Sequence, residues 1–212
     1  MVPESVSTKA SSTAGSADPS RRQRSDAQRN VLALVQAAKI VFADRGVDAP
    51  AKEITDRAGV GIGTLYRHFP TRQDLLEAVY RDQVEALCAR AADLLDQPSP
   101  ADALATWLRA MVAFSTTKRS LVTSMLATMD KNSEIFSACS TVIRGAVESL
   151  LVRAQQADEI RRDVGAGDIM RLSHALTVAT ERAPQDPEQA ERLLGLMLDG
   201  LRAGTRRASQ PS

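Results

Sequence analysis

Residues Lys52 to Arg72 read KEITDRAGVGIGTLYRHFPTR, and this stretch decides the fold. Glu53 to Ala58 are helix-compatible, with Ile54 and Ala58 four apart on one face, and Gly59 is placed to end that helix at a positive φ. A second short helix is expected almost at once, from Ile62 to Phe69. There Leu65 and Phe69 share a face at i,i+4 and leave Thr64, Tyr66, Arg67 and His68 to project elsewhere. Two short helices joined by a tight glycine turn make a helix-turn-helix. A recognition helix needs an apolar seam that holds it and an outward set of hydrogen-bonding and cationic groups for base edges and phosphates. Both sets are present.

Two other readings compete. Gly59, Gly61 and Gly63 form a GxGxG run of the kind that cradles phosphates, but such a loop follows a strand and no alternating pattern precedes this one. The stretch also reads as an ordinary helical hairpin in which Tyr66 and Phe69 are core and the charges are merely solvated.

Ala58-Gly59-Val60, the run from Gly63 to Phe69 and the trailing Leu75-Leu76 resemble the TetR/AcrR-type bacterial transcriptional regulators, over Asp26 to Tyr80. The resemblance implies an all-α protein: a three-helix DNA-binding domain over residues 25–72 and a larger helical domain over 73–206 for effector binding and dimerisation, connected by a helix over 71–96. Carried over by position, it implies that Lys52, Ile62, Thr64 and Arg67 approach base edges and that Tyr66, His68 and Arg72 approach phosphates, while Gly63 lets the backbone come close to DNA. Arg72 stands where many relatives have Lys and can fork two hydrogen bonds to one phosphate. Relatives often carry Thr near Ala49 and Pro50 and Ser or Thr at the position of Gly61, so two cap oxygens are absent here.

With 212 residues, 43% of them hydrophobic and 25% charged, the chain is long enough for one large or two small globular domains. Its formal net charge of +1 does not announce a nucleic-acid binder, so phosphate attraction has to come from a local patch. Lys52, Arg57, Arg67 and Arg72 outnumber Glu53 and Asp56 in the motif, and Arg21, Arg22, Arg24 and Arg29 lie upstream. Residues 1–24 are rich in Ser, Thr, Ala and Pro and are expected to be a disordered tail, as are residues 207–212. The Arg21–Arg24 cluster is either a solubilising run or an arm toward DNA. No signal-peptide run is visible and no stretch reads as long enough to span a membrane, which makes the cytoplasm the expected location.

A helix capped by Ser25 or Asp26 should run to Arg45, burying Val31, Val35, Ala38 and Phe42, and stop at Gly46. The next is expected to open at Asp48 or Ala49 with Pro50 in its first turn. Beyond the helix of 71–96, Pro98 and Pro100 punctuate the chain. Helical stripes follow at Leu104, Trp107, Leu108 and Met111; at Val122, Met125, Leu126 and Met129; and at Phe136, Cys139, Ile143, Ala146 and Leu150. A helix from Asp168, a loop over 183–187 and a final helix from Ala190 complete the reading.

In the resembled family the last two long helices pair with those of a second subunit in a four-helix bundle. Leu172, Leu176, Leu193, Leu194, Met197, Leu198 and Leu201 are the candidate dimer contacts, and a two-fold dimer implies a roughly palindromic operator. The resemblance also implies a pocket for an unknown small-molecule effector, with Trp107, Met111, Phe114, Met125, Met129, Phe136 and His174 as candidate lining. No cofactor, metal site or catalytic residue is expected. The two histidines are far apart, and Cys88 and Cys139 lack CxxC spacing and read as buried reduced thiols. The reading is a dimeric repressor released from DNA by its effector. A regulator without a small-molecule effector, whether partner-controlled or an activator, and a helical binding module are the alternatives.

Overall fold

Eight α-helices are present among the residues that the computed structural model describes, which are 19–117, 134–181 and 188–202. They are α1 (Pro19–Arg45), α2 (Ala51–Ala58), α3 (Ile62–His68), α4 (Arg72–Leu94), α5 (Pro100–Thr117), α6 (Glu134–Gln156), α7 (Ala166–Glu181) and α8 (Gln189–Leu201). The protein is all-α as expected, and the one isolated β-bridge among the described residues joins Ile160 to Arg202.

α1 starts at Pro19, ahead of Ser25, because a proline in a first helical turn forfeits no hydrogen bond and already has a helical φ. Arg21, Arg22 and Arg24 therefore sit on helical backbone and not in a tail. The inward stripe is the expected one, with Val35, Ala38 and Phe42 buried and Val31 half-buried, widened by Leu34 and Val41. Gly46 closes the helix at φ 83°. α2 opens later than expected: Pro50 lies outside it at ψ 137°.

α4 begins on a capping box. Asp74 N–H donates to Thr71 Oγ1 at 3.1 Å, and Thr71 N–H donates to Asp74 Oδ2 at 2.8 Å. Asp74→Ala is expected to remove about 1 kcal/mol of stability, which a circular-dichroism melt would register as a fall of about 2–4 °C.

Two apolar cores meet on α4. The first gathers Leu34, Ala38 and Phe42 of α1, Ile54 of α2, and Leu65 and Phe69 at α3 around Leu75, Leu76 and Val79. The second gathers Leu104, Trp107 and Leu108 of α5, Val147, Leu150 and Leu151 of α6, Ile169 of α7, and Leu194 and Leu198 of α8 around Leu87, Ala91 and Leu94. Phe114 and Ile143 pack against both. With 23 residues, α4 is a strut about 34 Å long at 1.5 Å per residue.

One sequence expectation is overturned here. α6 is long and apolar enough to cross a membrane by length and composition, although no such stretch was expected. Ile135, Cys139, Val147, Leu150, Leu151 and Ala154 are buried in its packing against α4, α5 and α7, and 28% of its apolar window is buried in all. The stripe from Val122 to Met129 and the 183–187 loop lie outside the described residues.

Candidate nucleic-acid interface

Gly59 adopts φ 69° and ψ 29°, the left-handed conformation in which glycine escapes the Cβ penalty. Its N–H donates to Asp56 O at 3.3 Å, and the Val60 N–H donates to Thr55 O at 3.1 Å, closing α2. Gly61 is extended at φ −74° and ψ 152° and hands the chain to α3. Neither helix has a side-chain cap at its N-terminus, where Pro50 and Gly61 stand. The glycine run is thus a helix-to-helix turn with no strand before it, which removes the nucleotide-loop reading.

α3 divides as its spacing predicts. Leu65 is 3% exposed and Phe69 is buried beneath the helix, whereas Ile62 and Tyr66 are 46% and 51% exposed. Gly63 and Arg67 are also exposed, and Thr64 is half-buried. The hairpin reading put Tyr66 in the core, and its exposure does not agree. Arg67 has no hydrogen-bonding or ionic partner among the described residues. Lys52 is exposed on α2 but holds Asp56 at 2.7 Å, an i,i+4 pair already visible in the sequence that offsets its charge. A Cβ built on Gly61 or Gly63 meets nothing within 4 Å. The protein's own packing therefore requires neither glycine, and Gly63, in the first turn of α3, forgoes helix propensity relative to Ala, by at most the about 1 kcal/mol of an interior position.

Two residues expected at phosphates are engaged elsewhere. Arg72 reaches back to the α1–α2 turn: Nε donates to Val47 O at 2.7 Å, and Nη2 donates to Ala49 O at 2.6 Å and also to Val47 O. Its guanidinium lies 5.7 Å from the centre of the Phe42 ring. A planar fork suits two neighbouring carbonyls as well as it suits a phosphate, and only Nη1 is left for an outside partner. His68 is half-buried, with Nε2 enclosed and unpaired, and its ring borders a cleft shared with Ala27, Gln28, Val31 and Leu32 of α1.

Among the described residues, the candidate effector residues fall in more than one environment. Trp107 is 0% exposed in the second core, where its indole N–H donates to Leu87 O at 2.9 Å. Met111 is buried on the same helix, His174 is exposed on α7, and Met125 and Met129 lie outside the described residues. Phe114 and Phe136 are brought together on Tyr80, at centroid distances of 6.2 Å and 5.7 Å. Burial, reinforced by Cys139, pushes the Tyr80 phenol up to about 12. Tyr80 and the buried Gln83 were not among the candidates. Their signal was their place on the inward stripe of α4 between Leu76 and Leu87, where two polar groups interrupt an apolar series. Cys88 and Cys139 are free thiols, and burial raises the pKa of both, which disfavours the nucleophilic thiolate.

The candidate dimer residues also divide. Leu194, Leu198 and Leu201 are buried within their own chain, because i, i+4 and i+7 put them on the face of α8 that packs on the second core. Leu176, Leu193 and Met197 are half-buried, while Leu172 and the unanticipated Leu196 are exposed, Leu196 by 70%.

A short helix anchored by Leu65 and Phe69, with an open outward face and a second helix packed beside it, is the geometry of a helix-turn-helix unit. Residues 34–79 match the family model of bacterial regulatory proteins of the tetR family, and residues 99–203 match the C-terminal domain of SbtR-like transcriptional regulators. The chain is 36% identical to a TetR transcriptional regulator of Streptomyces coelicolor, covering 81% of this chain and 98% of that one at a TM-score of 0.68. A TetR regulatory protein of Mycobacterium vanbaalenii is 32% identical, with 85% and 99% covered and a TM-score of 0.67. The transcriptional repressor KstR2 of Mycolicibacterium smegmatis is 41% identical over 64 residues, which are 30% of this chain and only 31% of that protein's length. The chain belongs to the TetR family of bacterial transcriptional regulators. Its domains and relatives are those of regulators and not of enzymes.

Proposed function

We propose that the protein is a cytoplasmic, homodimeric repressor that binds a roughly palindromic operator through α3 and is released by a small-molecule effector. The observation that carries the reading is the outward face of α3, where Ile62, Gly63, Tyr66 and Arg67 are exposed above a firmly buried Leu65. Thr64 and Lys52 flank this face and join it at base edges. Tyr66 is the chief phosphate contact, with Arg72 reduced to its one remaining amino group and His68 acting only if its ring turns outward. The similarity to a protein named as a repressor favours repression.

Dimerisation rests on the two apolar faces of α8. One is used inside the chain, and the other, with Leu193, Leu196 and Met197, extends toward Leu172 and Leu176 of α7 as the surface for a second copy. A two-fold pair sets the two α3 helices to adjacent major grooves. Selection of the purified protein on random duplexes at several salt concentrations tests this reading. A palindrome enriched with steep salt dependence is expected, and weak, unselective binding would overturn it.

Gly63→Ala supplies a sharper check. Because a Cβ has room inside the protein, the variant is expected to melt no lower than the parent, and higher by up to about 1 kcal/mol of stability. Its operator affinity should nevertheless fall, since the added methyl occupies the space where the helix backbone meets DNA. Unchanged affinity would remove Gly63 from the contact surface.

A further inference from the structure

Between α1, α4 and α5 lies a cleft of about 340 Å³ lined by Lys39, Gln83, Ala86, Leu87, Arg90, Ala110, Ala113 and Phe114. Three alanines leave the room, and Leu87 and Phe114 supply apolar wall. Three polar groups converge on it with different needs. Arg90 is exposed and has no hydrogen-bonding or ionic partner among the described residues. Lys39 is half-buried and holds Asp82 at 2.7 Å, an α1-to-α4 link that Gln36 supports from 3.4 Å. Gln83 is 7% exposed, and its Oε1 is buried with no hydrogen-bond partner. A buried acceptor left without a donor is destabilising by about 1–3 kcal/mol, so an occupant that donates there gains affinity.

From these residues we infer that the cleft binds a small, rod-shaped carboxylic acid that also carries a hydroxyl. Gln83 and Arg90 are seven residues apart on α4, hence on the same face and about 10 Å apart along its axis. A carboxylate lies against Arg90 at one end, the Lys39 ammonium being already engaged by Asp82, and a hydroxyl donates to Gln83 Oε1 at the other once the buried amide turns toward the cleft. Methylenes between them cover Ala86 and Leu87. A cationic occupant is disfavoured by Arg90, whose charge has no acidic partner among the described residues. The cleft's volume falls in the range of small-molecule sites. Its walls come from α1, α4 and α5, so an occupant ties α1 of the DNA-binding unit to α5 of the body. That consequence for DNA rests on the effector reading above, whereas the binding does not.

Calorimetric titration of the full chain, without DNA, with 8-hydroxyoctanoate tests the site. Saturable binding at one per chain is expected, weaker at least tenfold for octanoate and for Arg90→Met, and absent for 1,8-octanediol, which lacks the carboxylate. Ala110→Leu, which fills the cleft and leaves every charge in place, should abolish it. No heat at millimolar acid, or binding that survives both Arg90→Met and Ala110→Leu, would overturn the inference. The selected operator duplex is then added in a separate assay. Binding that leaves operator affinity unchanged keeps the site and overturns its regulatory consequence.

Discussion

Arg67→Ala is expected to weaken operator binding by between about 30-fold and about 10⁴-fold while leaving the fold intact. An arginine at a base edge is worth about 1–3 kcal/mol of discrimination, and a two-fold dimer uses it twice, giving about 2–6 kcal/mol at 1.4 kcal/mol per tenfold. The side chain is exposed and makes no internal bond among the described residues, so its removal should shift stability by no more than about 0.5 kcal/mol. Fluorescence anisotropy on the selected duplex gives the affinity, and a melt gives the stability. Arg67→Lys separates the roles: a lysine restores charge and salt dependence but not the bidentate fork that reads guanine. Full recovery with Lys would recast Arg67 as a phosphate contact, and no loss with Ala would remove it from the interface.

Trp107→Ala is expected to destabilise the protein by about 3–5 kcal/mol, the range for emptying a core aromatic site. That is a large part of the total stability of a typical domain, and the melt should fall well below that of any other variant proposed here. The indole is enclosed in the second core, and its loss also removes the N–H that the Leu87 carbonyl accepts in addition to its helical bond. Trp107→Phe refills most of the volume and should recover most of the stability. If Trp107→Ala instead melted like the parent, the indole would line an adaptable pocket, as the sequence suggested.

What the sequence disclosed depended on whether a residue's role was local. Gly59 ends α2 because left-handed backbone favours glycine, and the i,i+4 spacing of Leu65 and Phe69 sets the orientation of α3, so both could be read directly. The stop at Gly46 was legible for the same reason. Arg72 was not, because its partners, the carbonyls of Val47 and Ala49, lie more than twenty residues back and meet it only in the folded chain. Leu194 and Leu196 show the same limit on one helix. Periodicity identifies two apolar faces on α8, but only packing determines which is buried in the chain's own core and which is left exposed. Trp107 and His174 were grouped by residue type, a criterion blind to burial, and they fall at opposite extremes of exposure.

The bonds from Arg72 to Val47 and Ala49 also limit how motion can travel. With the first turn of α4 fastened to the α1–α2 corner and its guanidinium resting on Phe42, the strut has no free joint where it meets the recognition unit. A tilt imposed near Leu87 and Ala91 would then reach α1, α2 and α3 together, as the swing of one block. The angle between α3 and its own supporting helices is thereby preserved, and in a dimer the quantity that changes is the spacing between the two blocks.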